Sequence, residues 1–435
     1  MSVIDNATLR LLDPVFDKAN FRATFHFAAD TVYLSDIKLL DVGFSSTETD
    51  SYQPTVGSAG AISSIRLYDG GVLLDSIENF TVYNSFMNLK KTNDENISLN
   101  RRLNNVGLGF VQSGQQGQTA PNVLADADFQ LNGQNLTANN IGSKSWISLR
   151  TILPFLRESM VVPTTLYRQL RLEVNYHSAA GLQNLVQLRR DATLTTATGA
   201  FVAAHEVAEG AVRDEMAREY RGVVYHPLEF DSVNAPTVTQ PSGAALANTN
   251  DNTKTAEQQN NFLLHGFDNK KLKRMLIVNT PTTATTWVSG NKNTGYANNA
   301  SVAGFRENTQ IRVNGVNKLA GSGVGSSAGG SGKNKRLAMT TDAWGDINII
   351  TGQQFTQTQD FNNYVGGADL LRKTQGAVDY LGCIVEEKID SLQIFYDRRG
   401  VFGNSSLNQP LRIQVMGEVE KAVIVDGNDY RVIYT

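Results

Sequence analysis

The Gly-rich stretch Gly321–Lys335 (GSGVGSSAGGSGKNK) is the first place where residue types could do chemistry, as a backbone cradle for phosphate closed by a Gly-Lys pair. Such a loop needs Gly five positions before the Gly of its Gly-Lys end, and a hydroxyl after the lysine to reach Mg²⁺. Ser327 stands at the first of these positions, before Gly332-Lys333, and Asn334 replaces the hydroxyl. The stretch reads as a flexible surface loop. His205-Glu206-Val-Ala-Glu209 opens like a zinc-protease helix, but Glu209 stands where a second imidazole must complete the pair at i+4. A helix face packed on a β-domain explains it better. Asp126-Ala-Asp128 lacks the further ligand, the turn Gly and the closing Glu of a calcium loop.

The five histidines, His26, His177, His205, His226 and His265, are scattered, and no two stand at the two-residue spacing that puts ligands on one face of a strand. Gly323–Ser327 (GVGSS) does not have the spacing of a nucleophile elbow. The basic runs Lys270–Arg274 and Lys333–Arg336 could meet phosphates. Leu272 and Met275 interleave the first, which suits a strand with one solvated face. Glu386-Glu387 and Asp397-Arg398-Arg399 read as turn flanks, and nothing singles out a carboxylate pair for glycoside hydrolysis. No catalytic residue, cofactor-binding residue or metal ligand is assigned, and the expectation is a protein that is not an enzyme.

The elements expected to carry these residues are short strands. Phe21–Phe27 and Thr31–Val42 alternate in the period-2 sense; Ile62–Tyr68 runs through an Asp69-Gly70-Gly71 turn into Val72–Leu74 as a hairpin. Asn79–Phe86 is expected as another strand, and Lys90–Asn140 as a long polar excursion. Ser148–Arg157 has the spacing of a short helix with Ser148 as N-cap, broken or kinked at Pro154. Leu166–Tyr176 is a strand. Gly199–Tyr220 places Phe201, His205, Ala208, Val212, Met216 and Tyr220 near one helical stripe. Later strands are expected at Leu272–Val278, Gln310–Val316, Ile347–Ile350, Gly382–Glu386, Ile389–Tyr396 and Leu411–Val419, with at most a short helix at Asp369–Gln375.

Several of these segments echo one another. Ser64–Gly70 (SIRLYDG) resembles Gln310–Gly315 (QIRVNG), an offset of 246 between Arg66 and Arg312. Gln169–Val174 (QLRLEV) resembles Gln409–Val415 (QPLRIQV), an offset of 241 between Arg171 and Arg412. Tyr220–Tyr225 (YRGVVY) and Tyr430–Tyr434 (YRVIY) follow at an offset of 210. Ordered echoes point to two tandem copies of one β-domain, the first carrying an inserted helix. The Pro/Ala/Asn/Thr/Gln tract Asp231–Asn261 is the expected linker.

Composition agrees with a loop-rich β-protein. In 435 residues, 41% are hydrophobic and 19% charged, below the common ~25%; Asn, Gln, Thr, Ser and Gly fill the difference. A net charge of −3 implies no basic field for coating nucleic acid. The single Cys383 permits no intramolecular disulfide and suits a reducing compartment. No signal peptide and no bilayer-spanning apolar run are read.

Two tandem β-domains, a short helix before a late strand and long polar excursions resemble the double jelly-roll major capsid proteins of the adenovirus and tectivirus lineage. That lineage includes polinton-like viruses, virophages and large nucleocytoplasmic DNA viruses. Ser148–Tyr176 and Ile389–Tyr434 carry the likeness. The resemblance implies an all-β fold of two tandem eight-stranded antiparallel jelly rolls with short helices and long loops. It places the first at residues 1–230 (inserted helix at about 199–220), a linker at 231–261 and the second at 262–435. It implies homotrimeric, pseudo-hexagonal capsomers of a dsDNA virus tiling an icosahedral shell, made in the host cytoplasm or a virus factory. Neighbouring capsomers, penton and minor or cement capsid proteins are the implied partners; an internal membrane is allowed, and sequence-specific nucleic acid is not implied. Two other readings remain at this point. One is a jelly-roll carbohydrate- or receptor-binding fibre or spike, with Trp287 and Trp344 as candidate exposed aromatics. The other is a β-sandwich glycoside hydrolase.

Overall fold

In the computed structural model, residues 7–17, 19–46, 62–90, 145–167, 169–177, 194–198, 201–235, 255–281, 310–318, 331–345, 380–401, 411–427 and 429–435 are described. They fall into two compact units. One comprises Met1–Ser85, Asp94–Glu229 and Val419–Thr435; the other comprises Phe86–Asn93 and Phe230–Glu418.

The first unit opens with β1 (Ala7–Leu12), β2 (Val15–Asp17), β3 (Arg22–His26), β4 (Val32–Leu34), β5 (Lys38–Ser46), β6 (Ile62–Asp69) and β7 (Val72–Ile77). Helix α1 (Phe80–Lys90) precedes β8 (Ser145–Ser148), α2 (Leu149–Ile152), α3 (Pro154–Glu158) and β9 (Val161–Pro163). The chain continues through β10 (Leu170–Tyr176), β11 (Leu194–Thr198), β12 (Phe201–Val207), α4 (Gly210–Glu219) and β13 (Gly222–Tyr225). One sheet runs β1–β12–β4/β5–β9/β8, with β11 added on β5; the other runs β2–β3–β10–β6–β7. Counting β4/β5 and β8/β9 as single interrupted strands, and setting β2 and β11 aside, the two orders are 1-8-3-6 and 2-7-4-5. That is the strand order of a jelly roll. Neighbouring strands pair antiparallel, from Leu11 opposite Ala203 to Leu172 opposite both Phe25 and Leu67. Period-2 burial follows: Leu170, Leu172, Val174 and Tyr176 face inward from β10.

The second unit repeats the order with fewer interruptions. Its strands are β14 (Leu228–Ala235), β15 (Thr255–Leu264), β16 (Lys271–Pro281), β17 (Gln310–Val313), β18 (Val316–Asn317), β19 (Tyr380–Lys388), β20 (Leu392–Val401) and β21 (Leu411–Val419), with α5 (Ser331–Trp344) before β19. The sheets read β14–β21–β16–β19 and β15–β20–β17–β18, again 1-8-3-6 and 2-7-4-5. Asn314 and Gly315 both have positive φ, 50° and 80°, which gives the β17–β18 hairpin a turn matched to strand twist. The chain then enters β22 (Lys421–Asp426) and β23 (Asp429–Tyr434), which form a three-stranded sheet with β13 inside the first unit.

Several expectations change. Asn79–Phe86 is not a strand: Asn79 adopts φ 49° and its carbonyl accepts from Val82 and Tyr83, starting α1, whose Phe80, Tyr83 and Phe86 are buried at helical spacing. The expected 199–220 helix is strand β12 followed by the shorter α4. Buried Val202 and Ala204 alternate with outward Phe201 and His205, and the helical stripe coincided with that pattern only in part. The expected linker is strand at both ends, since β14 runs to Ala235 and β15 starts at Thr255. A helix leaves the Gly-rich stretch at Ser331.

The echoes divide as well. Arg66 and Arg312 both lie in fourth strands, β6 and β17. Arg171 lies in a seventh strand and Arg412 in an eighth. The two Tyr-Arg segments are β13 and β23, which flank β22 in one sheet and are not copies of one another. The break at Pro154 stands: Leu153, extended at φ −96° and ψ 108°, separates α2 from α3. Lys90–Asn140 beyond Lys90, Ile347–Ile350, Asp369–Gln375, Trp287, Asp126 and Asp128 lie outside the described residues.

Gly222 leaves no room for a side chain where β13 meets β22. Its φ is +93°, and a Cβ there would stand 1.9 Å from the Val423 carbonyl oxygen. Gly222→Ala should cost the first unit on the order of 2–4 kcal/mol and lower its thermal midpoint by roughly 5–10 °C. Gly71→Ala, whose Cβ meets nothing within 4 Å, should leave that midpoint nearly unchanged in the same scan.

Candidate functional site

The residues that could have formed a catalytic centre are dispersed and engaged. Glu206 in β12 accepts from Arg10 Nε of β1 at 2.8 Å and from Thr31 Oγ1 at 3.0 Å, with Arg213 of α4 3.7 Å away. Burial pushes its carboxyl up, but these bonds and charges outweigh that and hold it below the usual range. It stitches three elements together. His205 points to the other face of β12, opposite Leu9. His177 sits 2.7 Å from Thr81 Oγ1, and burial pulls its pKa down to about 4, so it is neutral at neutral pH. His226 lies 3.8 Å from Glu420, His265 bonds Asp268 at 2.9 Å, and His26 faces Arg171 across the β3–β10 pair. Burial raises the Cys383 thiol to about 11, which leaves it inert. Among the described residues no three His, Cys, Asp or Glu side chains gather to hold a metal ion, and no helix is long and apolar enough to cross a membrane.

Trp344 is 2% exposed and is not a sugar platform. Its indole nitrogen donates to the Met275 carbonyl at 3.0 Å, and the Arg274 guanidinium lies over its ring, 4.2 Å from the centroid. Arg274 in turn makes a two-pronged contact with buried Glu418, at 2.6 and 2.8 Å, and donates to Ala343 at 2.7 Å. This cluster fastens the end of α5 to β16 and β21. Of the basic run 270–274, Arg274 is thus an internal brace, and Lys270 donates to the Gly266 carbonyl at 2.8 Å.

A second polar cluster, which sequence reasoning missed, lies in the first unit. The β6–β7 register slips between Leu67 and Tyr68, leaving Leu74 without an opposite residue. Its carbonyl accepts from Lys421 Nζ at 3.0 Å and from the Tyr225 hydroxyl; Lys421 also donates to Leu73 at 2.9 Å. The next residue, Asp75, is 1% exposed and accepts the Phe155 N–H at 2.7 Å. Burial lifts its carboxyl to about 7, against the lowering effect of Phe155, Lys421, Ser76 and Arg157. Phe155 packs edge-on against Tyr167 and Tyr225, Tyr167 packs edge-on against Tyr220, Tyr430 lies tilted 5.1 Å from Tyr167, and burial raises all four tyrosine hydroxyls above their usual range. Lys421 and Leu74 are 347 residues apart, so no local pattern could have paired them.

These arrangements brace strands. They do not place a nucleophile, base and oxyanion donor around one point. Exposed apolar side chains gather in two places among the described residues: Leu9, Leu11 and Phe201 share one face of β1 and β12, and Val224, Ile424 and Ile433 share one face of the β13–β22–β23 sheet.

No protein-family model matches the chain, and no curated protein matches it. Solved structures do. The VP54 protein of PBCV-1, fitted into a reconstruction of the virophage Sputnik, is 11% identical with a TM-score of 0.55, over 99% of this chain and 97% of that one. The Sputnik virophage structure matches at 10% identity and TM-score 0.53, covering 98% and 88%. The mavirus major capsid protein matches at 8% identity and TM-score 0.51, covering 98% and 90%. The chain is a mostly-β double jelly roll.

Asp75 gives the first unit a pH slope of known sign. Its folded-state proton is held more tightly than in the unfolded chain between about pH 4 and 7, so stability falls as pH rises through that window. Asp75→Asn keeps an acceptor for Phe155 and removes the slope. In urea titrations at pH 5 and pH 8, the unsubstituted protein should lose on the order of 3 kcal/mol relative to the variant across that interval.

Proposed function

We propose that this chain is a viral major capsid protein and that three copies form a pseudo-hexagonal capsomer, one of many tiling an icosahedral shell. The observation that carries the reading is the repeated strand order, 1-8-3-6 with 2-7-4-5, in both units. Two similar wedges per chain give a trimer six near-equivalent blocks, which is what a flat hexagonal lattice needs from a three-fold ring. The end-to-end likeness to capsid proteins of PBCV-1 and mavirus supports it. So does the character of the polar clusters, which fix strands to strands instead of presenting reactive groups to a ligand. The protein acts structurally and not as an enzyme. It resides in the virion after synthesis in the host cytoplasm or a virus factory. Its partners are its own copies, neighbouring capsomers, and penton and minor capsid proteins.

Exposed Leu9, Leu11, Phe201, Val224, Ile424 and Ile433 are apolar surface that assembly would cover. Interfaces of the obligate class, roughly 2,000 Å² or more, are expected. Burial of Trp344 counts against a sugar-binding reading. Light scattering of the purified protein at micromolar concentration should give the mass of three 47.5 kDa chains, and negative-stain images should show pseudo-hexagonal rings. A stable species of one chain mass would overturn the proposal.

A further inference from the structure

The first unit is assembled from chain on both sides of the second. Residues Phe230–Glu418 intervene before Val419–Thr435 returns to it. The returning segment does more than extend a sheet. Strand β22 pairs with β13 over Gly222–Tyr225, and β23 pairs with β22. Ala422 and Val423 are 3% and 1% exposed. Lys421, itself 4% exposed, reaches the bulge in β7 and satisfies the Leu73 and Leu74 carbonyls. The Tyr430 hydroxyl donates to Asp69 Oδ2 at 2.5 Å, at the β6–β7 turn, where Asp69 Oδ1 already accepts the Gln169 N–H. Tyr434 donates to Glu229 at 2.8 Å. Strand β7 is the last of its sheet, with β6 as its neighbour. The Leu74 carbonyl also takes the Tyr225 hydroxyl, so Lys421 adds the second donor there and bonds the Leu73 carbonyl beside it; carbonyls at such an edge are costly to leave underbonded.

We infer that Val419–Thr435 is a closing strap: the first unit reaches its native packing only when this segment docks, after the second unit has been made. Until then the β7 bulge lacks its lysine and β13 lacks its sheet neighbour β22. The first unit, although it begins the chain, is therefore the later of the two to finish. This holds whatever the chain assembles into.

Hydrogen exchange read by mass spectrometry tests it on the full chain. In the double variant Lys421→Met, Tyr430→Phe, amides of Val72–Ile77 and Gly222–Tyr225 should exchange at least about tenfold faster, while those of β16 and β19 stay within about twofold. In pulse-labelled refolding of the unsubstituted chain, β7 and β13 should gain protection together with β22, and later than β16 and β19. Protection of β7 and β13 ahead of β22 overturns the inference, as does equal loss of protection in both units of the variant. If the variant precipitates, the refolding order decides alone.

Discussion

In each unit the eighth strand lies between the first and the third, so one sheet has no interior until remote chain returns to fill it. Both returns are marked by a carboxylate on that central strand gripping an arginine from a neighbouring one. Glu206 of β12 holds Arg10 of β1 across 196 residues, and Glu418 of β21 holds Arg274 of β16 across 144. The two differ in energy. Arg10 is 59% exposed at its side chain, so water screens that pair and its worth is small. Glu418 is 4% exposed and bound through both oxygens, so removing either partner would strand a buried charge. Long-range pairing of this kind makes the fold slow to form and dependent on late-arriving segments.

The same constraint explains where the polar groups sit. A jelly roll buries the inward face of every strand, so polar atoms that cannot reach water are found where the ladder is interrupted. Among the described residues, the β7 bulge at Leu74, the Pro154 break between α2 and α3, and the close approach of α5 to β19 are three such places. Lysine, aspartate and tyrosine meet at the first two; arginine, glutamate and tryptophan serve the third. At Gly382 a Cβ would come within 2.7 Å of Trp344 and 2.9 Å of Thr340, which is why the helix can lie against that strand only at a glycine. These clusters have the ingredients of active sites and the geometry of fasteners.

Much of the architecture was legible in the sequence because alternation survives wherever a strand buries only aliphatic residues. Leu170, Leu172 and Val174, or Ile311 and Val313, could be read directly. The Ile-Arg echo of β6 and β17 is a true correspondence, since both are fourth strands entering a tight turn. Legibility failed where a buried charge broke the pattern. Glu206 and the half-buried His205 disguised β12 as a helix face. The likeness of Arg171 to Arg412 arose because a seventh and an eighth strand present the same alternation to the same kind of core. The strap was invisible for a different reason: Tyr430 and Lys421 look like ordinary strand residues until their partners, hundreds of residues away, are placed beside them.

The central claim is that one strand order is built twice in this chain, and engineered cysteine pairs test it most directly. Lys271 stands opposite Lys388 in the third–sixth pair of the second unit, and Leu39 opposite Val202 in the third–eighth pair of the first. On mild oxidation, Lys271→Cys with Lys388→Cys should form a disulfide within one chain. Leu39→Cys with Val202→Cys should form one within the same chain, each located by peptide mass mapping. Cysteines that stay free in both variants, yet pair readily once the protein is unfolded and refolded at random, would contradict the shared strand order.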